Sequence, residues 1–258
     1  MTMNNIGNIT MNTTKPTINI IDDQPDFIIV NKPANANFHD EGELGLGFFN
    51  AVNQQFNSKN NTQNNNSKNK LTTLYPVHRL DKMTSGLLIF AKNKTAATQF
   101  QQLFEQHKVQ KFYLAISDKK PKKKQGLIKG DMAKSRRSTW KLLRTQINPA
   151  ISQFMSYSVN NGLRLYVVKP HSGKTHQIRV ALSSVGSPII GDALYSPNIA
   201  TETYDRGYLH AYALQFTLNN INYEYQLAPD SGQYFICPSL IKKLEEIGKP
   251  WNLSWPSI

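Results

Sequence analysis

The sequence predicts an α+β fold built on a mixed, largely antiparallel sheet with a few flanking helices. Short apolar or alternating runs bounded by turn residues recur along the chain, as strands require. Only three segments carry the 3.6-residue period of a helix, too few to alternate with the strands.

The elements follow in chain order. Residues 1–16 are polar and expected to be disordered, leaving 17–258 as one domain. Phe27 to Val30 is a short apolar strand that ends at "NKP", where Pro33 forces a turn. Residues 53–70 are low in complexity: Asn53 to Asn69 holds eight Asn and three Gln in seventeen residues. Such a tract offers little apolar surface to offset its ordering entropy, and it is expected as a flexible insertion inside the domain.

"GLLIFAK" then predicts a buried strand and "KTAATQFQQLFEQHK" an amphipathic helix. "VQKFYLAIS", "STWKLLRTQI", "SQFMSYSV" and "LRLYVVKP" predict strands from β-branched and aromatic content. "THQIRVALSSVG" predicts a helix stopping near Gly186. "YLHAYALQFTL" and "NYEYQLA" predict a hairpin around "NNIN". "PSLIKKLEEIG" closes as a helix, with Pro238 tolerated in its first turn and Gly248 as its stop.

Composition narrows the function. The single cysteine, Cys237, excludes an internal disulfide and a Cys-based zinc site, and fits a reducing cytoplasm. No apolar run approaches the ~20 residues of a membrane span, and the N-terminus lacks a signal peptide's charged start and apolar centre. The chain therefore reads as soluble, cytoplasmic and free of membrane contacts, and as a monomer.

Net charge is +13, and its distribution is uneven. From Lys108 to Arg144 there are thirteen Lys or Arg against two acids, so +11 falls in one segment. Concentrated positive charge is the footprint of a polyanion partner. A solvated lysine-rich loop is the competing reading, since "DKKPKKKQG" has the composition of an exposed turn.

No Walker loop, dinucleotide fingerprint, HExxH or nucleophile elbow is present, and the histidines lack metal-ligand spacing. No cofactor and no metal are implied. Two polar clusters remain, "HRLDKMTSG" from His78 and "KPHSGKTHQIRVALSSVGSPIIGDALY" from Lys169. Asp81 sits where a loop enters a strand, a rigid support for a reacting group. Arg179 falls on the predicted helix of the second cluster, and pairing with it would hold Asp81 ionised. By spacing alone a structural salt bridge is the preferred reading of that pair.

"HRLDKMTSGLLIFAK", "KFYLAI", "HSGKTHQIRVAL", "SPIIGDALY" and "LHAYALQF", occurring in order, together resemble the RluA-like family of RNA pseudouridine synthases. The likeness runs from about residue 18 to 227, interrupted at the Asn-rich tract. It implies cofactor-free isomerisation of a uridine in tRNA or rRNA, in which N1–C1′ breaks and C5–C1′ forms. Asp81 matches the family's catalytic aspartate, Arg179 its basic partner, and Tyr113 the tyrosine that stacks on uracil. Ile178 matches an apolar residue beneath the base. Arg79 matches the residue that fills the stack after the uridine flips out. His78 is expected on the substrate side, chiefly supporting the loop.

Three positions depart from the family pattern. Lys174 stands where Arg is usual, keeping charge but losing a fork-shaped donor. Ala181 and Ser187 stand where His is common. No S4-like RNA-binding domain is expected before the match, and Lys122, Lys123, Lys124, Arg136 and Arg137 are expected, with Lys174, to grip RNA phosphates. Two alternatives stand beside this reading. A non-catalytic RNA binder would not need Asp81, Tyr113 and Arg179 together. A nucleoside glycosidase would need a second carboxylate near Asp81.

Overall fold

The computed structural model describes residues 17–40, 46–63, 72–160, 162–196 and 204–258. The expected N-terminal disorder, in residues 1–16, lies outside them. Twelve strands are present among the described residues, ten of them in one sheet. They are β1 (Asn19–Asp23), β2 (Phe27–Lys32), β3 (Tyr75–Pro76), β4 (Ser85–Ala91), β5 (Gln110–Ser117), β6 (Gln125–Gly130), β7 (Met132–Lys134), β8 (Trp140–Leu142), β9 (Ala150–Ser158), β10 (Arg164–Pro170), β11 (Leu209–Leu218) and β12 (Ile221–Gln226). The helices are α1 (Phe48–Gln63), α2 (Lys94–Glu105), α3 (Gln177–Ser184) and α4 (Pro238–Ile247).

The main sheet runs β1-β2-β4-β11-β5-β10-β9-β6, with β3 beside β4 and β12 beside β11. Its pairs are antiparallel except β4 with β11, which meet only at Ser85–His210 and Gly86–Ala211. Gly86 has φ +108°, and a Cβ there would lie 2.3 Å from the Ala211 carbonyl oxygen. Only glycine lets these backbones approach, and their meeting fixes the strand that follows Asp81. β7 and β8 form a separate hairpin.

The sequence periods account for the packing. β2 and β4 are buried along their whole length, as continuous apolar runs demand. α2 buries Ala96 and Phe100 against them, capped by the Asn93 side chain, which accepts from Ala96 N. The β11–β12 turn places Asn219 and Asn220 at φ 49° and 62°, the left-handed pair a two-residue hairpin needs. A second core joins β5, β9, β10 and β11 to α3 and α4.

The Asn-rich tract differs from expectation. Its first part, from Asn53, is helical as the continuation of α1. Phe48, Val52 and Phe56 recur every four residues and are buried against β2 and β4, and that anchor outweighs the poor propensity of Asn. Residues 64–70 lie outside the described set. "STWKLLRTQI" also differs: only Trp140–Leu142 is a strand. The chain then wraps around Asp131, whose carboxylate accepts from Ile147 N and Asn148 N at 3.0 and 2.8 Å.

Candidate active site

The loop between β3 and β4 carries Asp81, and two backbone devices hold it. His78 Nε2 accepts the Ile89 amide at 3.0 Å, continuing the edge that β3 begins. Burial then pulls the His78 imidazolium down to about 3, so the ring is neutral. Lys32, fully buried at the end of β2, donates to the carbonyl oxygens of Pro33, Asp81, Lys82 and Thr84 at 2.9–3.3 Å. Burial draws the Lys32 ammonium down to about 7, against the attraction of Asp81.

Arg179 reaches Asp81 from α3. Its Nη1 lies 3.2 Å from Asp81 Oδ2. Nε and Nη2 grip Asp192 side-on at 2.7 and 2.8 Å. Asp192 is wholly buried and also accepts the amides of Leu194 and Tyr195. One guanidinium thus spans two carboxylates, one buried and one partly open to the cleft. Burial works against the Arg179 charge, but the two aspartates more than offset it and raise its pKa. The Tyr195 ring covers the guanidinium at 5.0 Å, and its hydroxyl meets His176 Nδ1 at 2.9 Å and accepts Trp140 N at 2.8 Å. His176 itself holds φ 57°, a strained conformation for a non-glycine residue at the start of α3.

Asp81 and Arg179 form the wall between two clefts of about 370 and 530 Å³. The first also contains Tyr113, Ile178, Lys174, Lys111 and His78. Tyr113 projects from β5, and burial, with Asp81 second, keeps its hydroxyl protonated well above the usual range. Ile178 is buried on α3. Arg79 is exposed and lines both clefts. Lys174 Nζ reaches Asn148 Oδ1 at 2.9 Å on the rim.

The basic segment divides. Arg136 and Arg137 are exposed at the tip of the β7–β8 hairpin, whose second strand is tied through Trp140 and Tyr195 to the Arg179 network. Lys122, Lys123 and Lys124 are exposed but do not line either cleft. They precede β6, three strands from β5 and so ~14 Å across the sheet. The Lys124 carbonyl accepts from Ser156 N, and Ser156 pairs with Tyr166 rather than with the cleft end of β10. The lysine run lies away from both clefts, because β6 runs antiparallel to β9 and turns that loop toward the other end of the sheet.

Sequence reasoning missed Lys32, Lys111, Asp192 and Tyr195. Two left a signal: Lys32 follows the apolar run Phe27–Val30 with one residue between, and Asp192 follows Ile189–Ile190 with one residue between. A charge in such a place needs a buried partner.

The RNA pseudouridylate synthase family matches residues 26–184. A Haemophilus influenzae protein described as an uncharacterized RNA pseudouridine synthase is 45% identical over 88% of this chain and 95% of its own. A Rickettsia bellii protein described as ribosomal large subunit pseudouridine synthase C is 34% identical over 62% of this chain, which spans 54% of that relative. Human RNA pseudouridylate synthase domain containing 1 superposes with a TM-score of 0.67 over 93% of this chain and 97% of its own, at 22% identity. That likeness is one of fold. The sequence matches and the shared fold place this chain in the RluA-like family of RNA pseudouridine synthases, isomerases that act on RNA.

Proposed function

We propose that the Asp81 cleft receives a uridine flipped out of ribosomal RNA and isomerises it to pseudouridine. The arrangement that supports this reading is Arg179 spanning Asp192 and Asp81 at the wall of a cleft that also contains Tyr113. Asp192 fixes the guanidinium, and the guanidinium orients Asp81 and stands beside it as a counter-charge. As N1–C1′ breaks, the ribose becomes electron-poor, and the Asp81 carboxylate assists either by attacking the sugar or by promoting a glycal. Tyr113 offers a flat face on which uracil can turn until C5 replaces N1. Ile178 closes the cleft beneath the base. Arg79, exposed between the clefts, fills the gap left in the RNA stack.

Lys174 and the Arg136–Arg137 tip are the phosphate-binding groups this reading assigns. Arg137 and Ser138 hold φ 53° and 59°, and Thr139 closes the turn on Arg136 O, so the tip is preshaped. Lys122, Lys123 and Lys124 then act only as a distant attractive field. Ribosomal RNA is favoured over tRNA on the description of the Rickettsia bellii relative. The setting is cytoplasmic; among the described residues no helix is long and apolar enough to cross a membrane. Tritium release from RNA labelled at uracil C5 tests the chemistry, with Asp81→Asn as the inactive control. Pseudouridine mapping of rRNA and tRNA from cells with and without the gene tests the substrate: loss from tRNA alone would overturn the ribosomal assignment.

A further inference from the structure

Lys111 is a charged residue in the cleft that the steps above leave unused. It lies two residues before Tyr113 on β5, so both side chains emerge on one face, and both line the same cleft. Among the described residues its Nζ meets one group at hydrogen-bond distance, the Ser172 carbonyl oxygen, at 3.3 Å. The ammonium also lies 5.8 Å from the Phe104 ring centroid, and a Cβ at Gly173 would sit 3.9 Å from it. Arg179 nearby is neutralised by two aspartates, whereas Lys111 faces a carbonyl and a ring. A half-buried ammonium with so little compensation is costly, and the cost makes sense where a negative charge appears during turnover.

We propose that Lys111 is a catalytic residue that supplies the counter-charge for the uracil anion. This rests on the reading of the cleft as the uridine site. When N1–C1′ breaks, the bonding pair leaves with uracil and spreads over N1, O2 and O4. The electron demand at C1′ is met by the Asp81 carboxylate or by loss of the C2′ proton. After the ring turns on Tyr113, C5 gives a pair to C1′ as the Asp81–C1′ bond breaks or, on the glycal route, as C2′ takes its proton back. The C5 proton then departs to water, while N1 takes a proton from water. Lys111 keeps its proton throughout. Because the anion exists only after bond cleavage begins, the contribution falls on kcat and not on binding. A backbone phosphate carries its charge before reaction and would show the opposite pattern.

Lys32, which holds the Asp81 turn, is drawn by burial down to about 7, so the step assigned to Lys111 is the one above pH ~8 that Lys111→Arg removes. His78 and His171 are neutral, drawn by burial down to about 3 and about 4, with Lys111 among the further causes. His107 lies on the same rim, and Tyr113 and Asp81 share the cleft. Lys169, on β10, sits over the Phe112 and Trp255 rings. Burial lowers the Lys111 ammonium to about 8, so turnover should report its loss of charge.

The test measures tritium release from uracil-C5-labelled RNA with the full chain, across pH, for wild type, Lys111→Met and Lys111→Arg. Lys111→Met should lower kcat about 100-fold, with KM for RNA within about threefold. Wild-type kcat should fall above pH ~8, and the fall should vanish in Lys111→Arg, whose guanidinium does not titrate. A raised KM at unchanged kcat would make Lys111 a phosphate anchor and overturn the proposal. A wild-type kcat level from about pH 7 to 10 would overturn it whatever the variants do, even if one fails to fold. Asp81→Asn in the same assay separates the two levels. Turnover retained there defeats the reading of the cleft; turnover lost there but kept in Lys111→Met defeats only the role of Lys111.

Discussion

His78–Lys82 and Lys119–Lys124 are both short, charge-rich loops next to a strand, yet the fold treats them oppositely. In the first, Asp81 is bound to a buried guanidinium, and four carbonyl oxygens around the turn are held by a fully buried lysine. In the second, Lys122, Lys123 and Lys124 project into solvent. Local charge density does not separate the two. The difference lies in whether each charge has a partner brought from a distant part of the chain. Arg179 is 98 residues from Asp81, and Lys32 is 49 residues from it. A fold that accepts the cost of burying charge in one place has committed that place to a fixed geometry.

The largest effect that would break this contrast belongs to Asp81. Asp81→Asn should reduce turnover about 10⁴-fold or more, while RNA affinity stays within about tenfold, or ~1.4 kcal/mol. Detectable isomerisation by the purified variant would remove the loop's claim to be the reacting centre.

Next comes Asp192, which touches no substrate. Asp192→Asn leaves Arg179 buried with half its compensation, and loss of one partner of a buried pair costs about 3–5 kcal/mol of stability. Urea unfolding should show that loss, and kcat should fall at unchanged KM because Arg179 no longer presents Nη1 to Asp81. A variant of wild-type stability would mean the pair is solvated in solution.

The two loops should also answer to different solution variables. The buried neighbourhood contains neutral histidines: His78 is drawn down to about 3 and His210 to about 4, desolvation being the main cause of both. Below the ordinary value near 6.5 the unfolded chain takes up protons that the folded chain refuses. Stability is therefore fully present above pH ~6.5 and is lost as pH falls toward 4, at up to ~1.4 kcal/mol per pH unit for each histidine. Urea midpoints at pH 7 and pH 4.5, with His210→Gln flattening the difference, check this. The exposed lysines should leave that curve unchanged.

Tyr113 gives a smaller effect. If its ring is the platform, Tyr113→Ala costs about 1–3 kcal/mol in base binding and Tyr113→Phe little. Equal, mild losses in both would reduce it to a core residue.

The same contrast explains what the sequence could disclose. β4, β5, β10 and the β11–β12 hairpin were legible because each is a local pattern: an apolar run, an alternation, an Asn-Asn turn. The place of Asp81 was legible as a carboxylate entering a buried strand. The helix over the first part of the Asn-rich tract was hidden because three residues, Phe48, Val52 and Phe56, outweigh the composition around them. Asp192 and Tyr195 were hidden because their roles depend on Arg179 and Trp140 arriving from other elements. In the basic segment, charge pointed to a partner class, but only the strand order reveals which end of the sheet each cation occupies.

That distinction yields the smallest and sharpest prediction. Arg136 and Arg137 top a hairpin joined to the Arg179 network, whereas Lys122, Lys123 and Lys124 sit three strands away from Tyr113. Each phosphate that the protein no longer neutralises should flatten the dependence of log affinity on log salt by about 0.7–0.9. Replacing both arginines with alanine should therefore lower that slope by about 1.4–1.8 if each holds one phosphate. Replacing all three lysines with glutamine removes more charge, yet should shift the slope by less and slow association mainly at low salt, as a long-range field does. Turnover at saturating RNA should stay near wild type in both variants, because neither set lines the cleft. Titrations of labelled RNA at several salt concentrations make the comparison. A larger slope change from the lysine triple than from the arginine pair would mean that RNA crosses the sheet edge at β6, and that charge density, not strand order, locates the grip.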